Sequence, residues 1–154
     1  MTERESAACG CVGADNDEHT RTLVVVEDDG VEIQAIRRSV RRAGLDWTIR
    51  VFRNGADALA GLRGEHPDGP IPSPFVVLLD LNMPRMNGIE LLRVVRADPD
   101  LANTNVFVLT TSDDARDVEA ATALGIHAYF TKAAAGADYA DALTAVKKHF
   151  EERD

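Results

Sequence analysis

Residues 75–88 read Phe-Val-Val-Leu-Leu-Asp-Leu-Asn-Met-Pro-Arg-Met-Asn-Gly. The first five are apolar and too few for a buried helix, so they predict a strand covered on both faces. Asp80 follows at the carboxyl end of this strand, where ligands collect in an open α/β sheet. Pro84 and Gly88 end the next loop, and apolar residues at helical spacing begin at Ile89. Asp80 is therefore a candidate site residue at a sheet edge.

Composition indicates one domain with an ordinary core. The chain has 154 residues, of which 45% are hydrophobic, and a formal net charge of −9. Nucleic acids and anionic membranes bind basic patches, so this charge argues against either as the main partner. No apolar run approaches the roughly 20 residues that span a bilayer, and the polar start lacks the apolar core of a signal peptide. We expect a cytoplasmic protein with no nucleic-acid or membrane partner.

The chain begins with a segment that lacks hydrophobic periodicity. Residues 1–21 mix Gly, Ala, Asp, Asn and Glu, so we expect a flexible N-terminal tail. Cys9 and Cys11 are the only cysteines, too few for a disulfide framework. Zinc normally takes four ligands at wider spacing, so these cysteines with His19 make a poor metal site. The predicted domain spans residues 22–150, and residues 151–154 form a short C-terminal tail.

Strand and helix signals alternate five times in this domain. Such alternation gives a parallel sheet with helices on both faces. We predict an α/β, flavodoxin-like, doubly wound sheet of five strands in the order 2-1-3-4-5, with five helices. The predicted strands are Thr22–Val26, Trp47–Phe52, Phe75–Leu79, Val106–Leu109 and His127–Thr131. The last helix is predicted from an apolar stripe at Tyr139, Leu143, Val146 and Phe150.

Polar residues follow four of these strands at the same edge of the sheet. In this strand order, strands one and three are neighbours at the topological switch point, so Asp28 and Asp80 should face each other. Clustered carboxylates repel one another unless a cation lies among them, and oxygen ligands favour a hard ion such as Mg²⁺. An aspartate there can attack phosphorus, while a lysine and a hydroxyl stabilise phosphoryl oxygens. The converging residues are Glu27, Asp28, Asp80, Thr110 and Lys132.

Four separate motifs now resemble one family. They read Val-Glu-Asp-Asp, Leu-Leu-Asp-Leu-Asn-Met-Pro-Arg-Met-Asn-Gly, Leu-Thr-Thr-Ser and Tyr-Phe-Thr-Lys, in this order. Over Thr22–Phe150 the chain is similar to bacterial response-regulator receiver domains. The resemblance implies a standalone response regulator of a two-component phosphorelay. Because no output domain is expected on either side, its output would be protein interaction or phosphate relay.

The resemblance also implies a role for each matching residue. Asp80 would be the phosphoacceptor, assisting its own phosphorylation and dephosphorylation, and the protein would not otherwise be an enzyme. Lys132 and Thr110 would bind the phosphoryl group. The Mg²⁺ ligands would be Glu27, Asp28, Asp80 and the main-chain carbonyl of Asn82.

Three further positions match residues that modulate the family's signalling. Tyr129 would turn inward when Thr110 moves toward the phosphoryl group, which changes the surface of the last two helices and the last strand. Asn82 and Ser112 would tune the lifetime of the phosphoryl group. A tyrosine in a last strand is as often core or plain surface as a switch, so the residue type alone does not assign this role.

The sequence around Asp80 and the Pro-rich loop before the third strand look most like those of the single-domain regulators of bacterial phytochrome kinases. This narrower resemblance implies a light-sensing histidine kinase as partner, a homodimer, and a downstream phosphotransfer or effector protein. Neither the identity of the kinase nor the homodimer follows from composition or motif spacing; both are implied only by the resemblance.

One residue departs from the family pattern. The family usually has a cis proline after the lysine, whereas Ala133 follows Lys132 here. A non-proline cis bond costs about 2.5–4 kcal/mol, so we predict a trans bond or a rearranged loop. Either change could displace Lys132, and the alternative function is a pseudo-receiver that binds partners without being phosphorylated.

Two other functions use a similar fold. Aspartate-nucleophile phosphatases have a second acid two residues after the nucleophile, but Asn82 occupies that place here. Flavin- and nucleotide-binding modules have a Gly-rich or Ser/Thr-rich phosphate loop after the first strand, where this chain has Glu27 and Asp28. Both observations argue against these activities, and the phosphatase remains the less favoured alternative to the pseudo-receiver.

Overall fold

The computed structural model describes residues 20–153 and contains a five-stranded parallel sheet in the order β2-β1-β3-β4-β5. This confirms the predicted topology. Residues 1–19, with Cys9 and Cys11, and Asp154 lie outside the described residues, so most of the predicted N-terminal tail of residues 1–21 is outside them too. The strands are β1 (Arg21–Val26), β2 (Trp47–Phe52), β3 (Phe75–Leu79), β4 (Val106–Thr110) and β5 (Ala128–Thr131).

Five α-helices connect and follow the strands within residues 20–153, as predicted. Each of the first four begins after an Asp or Asn whose side chain accepts a hydrogen bond from a backbone N–H of the first turn. The helices are α1 (Gly30–Arg42), α2 (Gly55–Leu62), α3 (Gly88–Ala97), α4 (Ala115–Ala123) and α5 (Ala140–Arg153).

The sheet separates two apolar layers. Successive side chains of a strand point to opposite faces, so Leu23 and Val25 of β1 lie on one side and Val24 and Val26 on the other. Helices α1 and α5 cover the first side, and α2, α3 and α4 cover the second. Strand β2 is at the sheet edge and only its last residue, Phe52, is buried. Both faces of the central strands are thus closed, and the open region lies at their ends.

The register of β1 and β3 determines where their terminal residues lie. Val26 is opposite Leu79, and the Asp80 backbone N–H donates a 3.0 Å hydrogen bond to the Val26 carbonyl. Because the two strands are parallel and end together, Glu27 and Asp80 follow them at the same level.

The segment between β5 and α5 differs from the sequence prediction. Tyr139 does not lie on the last helix; it has φ +62° in a short turn before α5, and Asp138 has φ +49°. The apolar stripe of α5 is therefore Leu143, Val146 and Phe150 alone, all buried. The pattern at Tyr139 matched helical spacing, but side-chain contacts made by this turn override it.

Helix α5 extends to Arg153, and Lys147 pairs with Glu151 one turn later at 3.8 Å. Such i, i+4 pairs add modest support to a helix end. The division into a tail of residues 1–21, a domain of residues 22–150 and a short tail of residues 151–154 stays a prediction.

The Lys132–Ala133 bond is trans, as predicted. Within residues 20–153 the only cis bond joins Ser73 and Pro74. The chain after β5 forms a short 3₁₀ turn at Lys132–Ala134 and then reaches the left-handed Gly136. No helix in the described part of the chain combines the length and apolar character needed to cross a bilayer.

Gly88 and Gly30 provide a matched test of how the loop after Asp80 packs. Each is the first residue of a helix, but a Cβ at Gly88 would lie 2.7 Å from the Asp80 carbonyl oxygen, whereas at Gly30 the nearest atom is 3.5 Å away. Gly88→Ala should lower the free energy of unfolding by about 1–3 kcal/mol because backbone must shift. Gly30→Ala should cause no loss. Urea denaturation of both variants measures this, and equal effects would contradict it.

Candidate functional site

Three carboxylates meet where β1 and β3 end. Ligand oxygens of Glu27, Asp28 and Asp80 all lie within 4.8 Å of one another. Glu27 and Asp80 are buried, with 3% and 5% of their surface exposed, whereas Asp28 is the more exposed member of the cluster. The Asn82 backbone N–H donates to Asp80 Oδ1 at 3.2 Å, which helps to orient that carboxylate. The predicted proximity of Asp28 and Asp80 is confirmed.

Lys132 lies against this cluster. Its Nζ donates a 2.7 Å hydrogen bond to Glu27 Oε1 and is 3.7 Å from Asp80 Oδ2. The altered loop therefore does not displace the lysine from the acids. Strand β5 brings the ammonium to the acids although Ala133 follows Lys132.

Burial and charge shift the pKa values of this pair in one direction. Burial raises the pKa of the Glu27 carboxyl to about 7; the Lys132 hydrogen bond opposes this rise and the Asp80 charge adds to it. Burial disfavours the ammonium of Lys132, but the Glu27 hydrogen bond and nearby carboxylates outweigh it and raise the pKa of Lys132. The lysine therefore stays charged at neutral pH, whereas the Glu27 carboxyl is partly protonated near pH 7.

The donor set suits a hard divalent cation. Three carboxylate oxygens lie close together, and one lysine cannot neutralise all of them. Calcium and magnesium prefer such oxygen-only sites, with water completing the coordination. The residues present thus fit a divalent metal. The part assigned to the Asn82 carbonyl stays a prediction.

Thr110 and Tyr129 lie on the neighbouring strands. Thr110 ends β4 fully buried, and its Oγ accepts a 3.4 Å hydrogen bond from the Ser112 backbone N–H. Tyr129 is half-buried on β5 and donates from its hydroxyl to the Ser112 carbonyl at 2.8 Å. The loop after β4 that contains Ser112, called the Ser112 loop below, thus contacts both predicted switch residues.

Asn82 and Ser112 have polar partners on the same rim. Asn82 Nδ2 donates to the Thr111 hydroxyl at 3.2 Å, and Ser112 Oγ donates to Asp117 Oδ2 at 2.5 Å. Asn82 is exposed, so its side chain is accessible to a ligand held at Asp80. Their role in tuning a phosphoryl lifetime stays a prediction.

Two residues near Lys132 were missed by the sequence reasoning. Glu32 Oε2 is 3.6 Å from Lys132 Nζ, and the Tyr139 hydroxyl donates a hydrogen bond to the same Glu32 oxygen. Burial, and then this hydrogen bond, raise the pKa of Tyr139, so the hydroxyl keeps its proton. Glu32 is the acidic residue in the first turn of the helix that follows Asp28, and this position was the signal available for it. Tyr139 gave no such signal because it continued a helical stripe.

The arrangement provides the parts of a phosphoryl-accepting site. Asp80 offers a carboxylate oxygen at the edge of the sheet, Lys132 offers a positive charge, and Thr110 offers a hydroxyl on the adjacent strand. A carboxylate can attack phosphorus, and fixed positive groups stabilise the charge on the transferring oxygens.

The family comparison agrees with this geometry. Residues 23–144 match the family model described as the response regulator receiver domain. A curated relative, the response regulator Rcp1 of Synechocystis sp. (strain ATCC 27184 / PCC 6803 / Kazusa), is 32% identical over 121 residues. The alignment covers 77% of this chain and 81% of that protein.

Two solved structures have the same fold. The Mn²⁺-bound form of response regulator Rcp1 has a TM-score of 0.72 and 30% identity, covering 84% of this chain and 93% of that one. The phosphorylated cyanobacterial phytochrome response regulator RcpA has a TM-score of 0.68 and 30% identity, covering 84% and 91%. The chain is thus similar to a protein described as a phytochrome response regulator.

Glu27→Gln tests the electrostatic cost of the buried acid in the metal-free protein. Folded Glu27 has a pKa of about 7 and the ordinary value is 4.5, so the folded state binds more protons between these values. This group's contribution to the free energy of unfolding should therefore fall as pH rises from 4.5 to 7, by up to roughly 1.4 kcal/mol per pH unit. Urea denaturation in chelator, across this pH range, measures it.

Titrating groups remote from Glu27 are common to wild type and variant, so the difference between the two pH profiles reports Glu27 together with the charged groups coupled to it. The difference should grow in favour of the variant with rising pH. Parallel profiles would show that Glu27 titrates normally.

Proposed function

This chain belongs to the response regulator receiver domain family, and from that membership we propose that Asp80 accepts a phosphoryl group from a histidine kinase. The observation that supports this most directly is the Lys132 Nζ, which lies 3.7 Å from Asp80 Oδ2 despite the unusual Ala133. The proposal also includes the kinase that donates the phosphoryl group, the bound metal ion and the change of surface that transmits the signal.

Mg²⁺ is the proposed resident cation. Glu27, Asp28 and Asp80 would hold it, together with the main-chain carbonyl of Asn82. The ion would supply positive charge to the phosphoryl oxygens and reduce repulsion between the acids. The choice of Mg²⁺ is supported by the oxygen-only donor set, and Mn²⁺ is the ion named for the structure of Rcp1.

The transfer step uses residues of this chain in defined roles. An Asp80 carboxylate oxygen attacks the phosphorus of a kinase phosphohistidine, forming an O–P bond while the P–N bond breaks. The bonding pair leaves with the imidazole. Lys132 and Thr110 hold phosphoryl oxygens, and the buried setting strengthens these contacts. The chain is thus an acceptor that assists its own phosphorylation and later hydrolysis, and is not otherwise an enzyme.

Thr110 and Tyr129 would convert phosphorylation into a change of surface. Thr110 is buried beside the Ser112 loop, and Tyr129 is hydrogen-bonded to the carbonyl of that loop. Movement of Thr110 toward the phosphoryl group would alter this loop and release the tyrosine. The signal would then be a changed surface on α4, β5 and α5, of the kind that local switches transmit.

The proposed donor is a bacterial phytochrome histidine kinase, supported by the similarity to the phytochrome response regulator RcpA. Such a kinase takes its phosphoryl group from ATP, so the proposed location is the cytoplasm. A homodimer and a downstream phosphotransfer or effector protein complete the proposal. Neither a pseudo-receiver nor a phosphatase is favoured, because Lys132 is in place and the second acid of a phosphatase is replaced by Asn82.

Intact-mass spectrometry with acetyl phosphate and Mg²⁺ tests the acceptor. Wild type should gain one phosphoryl group, about 80 Da, because the Asp80 carboxylate attacks phosphorus and acetate leaves. Asp80→Asn should gain none. Asp113→Asn, a nearby surface acid, is the control and should behave as wild type. The proposal would be refuted if folded wild type gained no mass from acetyl phosphate and also none from a phosphorylated phytochrome kinase.

Thermal unfolding with and without Mg²⁺ tests the metal separately. Ligands that bind only the folded state raise Tm, so Mg²⁺ at about 100 times its Kd should add about 2.7 kcal/mol to wild type. Asp28→Asn should lose most of this gain. Asp29→Asn keeps the helix cap and should retain it, since Asp29 is outside the cluster. Equal gains in both variants would exclude Asp28 as a ligand.

A further inference from the structure

Glu32 occupies a position outside the metal cluster but next to the lysine. It lies in the first turn of α1, its side chain is 21% exposed, and its Oε2 is 3.6 Å from Lys132 Nζ. The same oxygen accepts the Tyr139 hydroxyl. One carboxylate therefore contacts both the first and the last residue of the loop Lys132–Tyr139.

The last residues of this loop have an unusual backbone. Asp138 and Tyr139 both have positive φ, at +49° and +62°, although neither is glycine. Residues remain in such sparsely populated conformations where surrounding contacts over-determine them. The Asp138 carboxylate accepts from Arg38 Nη2 at 3.1 Å and Arg42 Nη1 at 2.7 Å, one turn apart on α1. Helix α1 thus holds the end of the loop at two places, through Asp138 and through Tyr139.

A cation at the acidic cluster creates a need for a further carboxylate. The positive charge of the ion would repel the ammonium of Lys132, and Glu27 and Asp80 would share their negative charge with the ion. A lysine side chain has many rotamers and leaves a site easily when its partners weaken. Glu32 is the nearby acid not in the metal cluster, and the Tyr139 hydrogen bond restricts its orientation.

We propose that Glu32 and Tyr139 are positioning residues that hold the Lys132 ammonium beside Asp80, in a chain whose loop after β5 lacks the usual proline. This inference rests on the proposed function. Neither residue contacts the phosphoryl group; both act through Lys132. The Arg38–Asp138 and Arg42–Asp138 pairs hold the loop in the conformation that brings Tyr139 to Glu32.

Phosphorylation kinetics give the first test. Tyr139→Phe removes one hydroxyl without changing charge, and Glu32→Gln removes the charge but keeps a hydrogen-bond acceptor. Each should slow phosphoryl uptake from acetyl phosphate about tenfold, because the ammonium is misplaced. Mg²⁺ affinity of Tyr139→Phe should stay within about twofold of wild type, since the metal ligands are untouched. Glu151→Gln, which removes an exposed acid of α5, is the control and should keep the wild-type rate.

A double-mutant cycle separates positioning from general damage to the fold. In the Lys132→Ala background, Tyr139→Phe should cause no further slowing, because the residue that it positions is gone. A full additional tenfold loss in that background would overturn the inference, and so would a wild-type rate in Tyr139→Phe.

The lysine itself supplies a readout that needs no phosphorylation. Nitrogen-15 NMR of the Lys132 ammonium, assigned by its loss in Lys132→Ala, reports how fast its protons exchange with water. With Mg²⁺ bound, exchange should be several-fold faster in Tyr139→Phe and Glu32→Gln than in wild type and Glu151→Gln, as a released ammonium is better hydrated.

These measurements distinguish the two proposals. If wild type takes up no phosphoryl group but the ammonium exchanges faster in both variants, the proposed function fails and the positioning role stands. If wild type is phosphorylated and both variants match it in rate and in ammonium exchange, the positioning role fails alone. If Tyr139→Phe does not fold, Glu32→Gln carries the same comparison.

Discussion

The pairing of β1 with β3 is the constraint on which the site depends. Val26 opposite Leu79, with the Asp80 N–H bonded to the Val26 carbonyl, makes two buried strands end at one level. The acids that follow these strands are therefore brought close together. Their repulsion then has to be offset by positive charge, from Lys132 on β5 and from a bound cation. If β3 slipped by one residue relative to β1, these acids would separate. Every side chain of β3 would then point to the opposite face of the sheet.

The compensation by Lys132 is partial, and this has consequences for stability. The ammonium satisfies Glu27 at 2.7 Å but lies 3.6 Å from Glu32 and 3.7 Å from Asp80. Buried ion pairs often contribute little to stability because desolvation offsets their attraction. The site is therefore better explained by a need to bind charge than by a need to stabilise the fold. Proteins commonly concentrate such local conflicts at functional sites and compensate elsewhere, here through two fully packed apolar layers.

Much of this organisation was predictable because buried parallel strands leave a strong pattern. The apolar run before Asp80 identified β3, and the acids after β1 and Lys132 after β5 identified the edge. The segment before α5 was not predictable in the same way. Tyr139 fits the helical spacing of Leu143 and Val146, and local propensity gives no reason to remove it. Tyr139 lies outside α5 because contacts with α1, about a hundred residues earlier, hold Asp138 and Tyr139 at positive φ.

The sequence by itself determined the strand order, the family and the sheet edge at which Glu27, Asp28, Asp80 and Lys132 lie together. It did so because side-chain periodicity and strand-end residues are local features that survive without coordinates. Only the tertiary structure decided that Lys132 stays in place before Ala133, and that Glu32 and Tyr139 join it. The physical reason is that these contacts link α1 to a loop remote in sequence. Their geometry depends on how whole elements pack, and no local pattern encodes that distance.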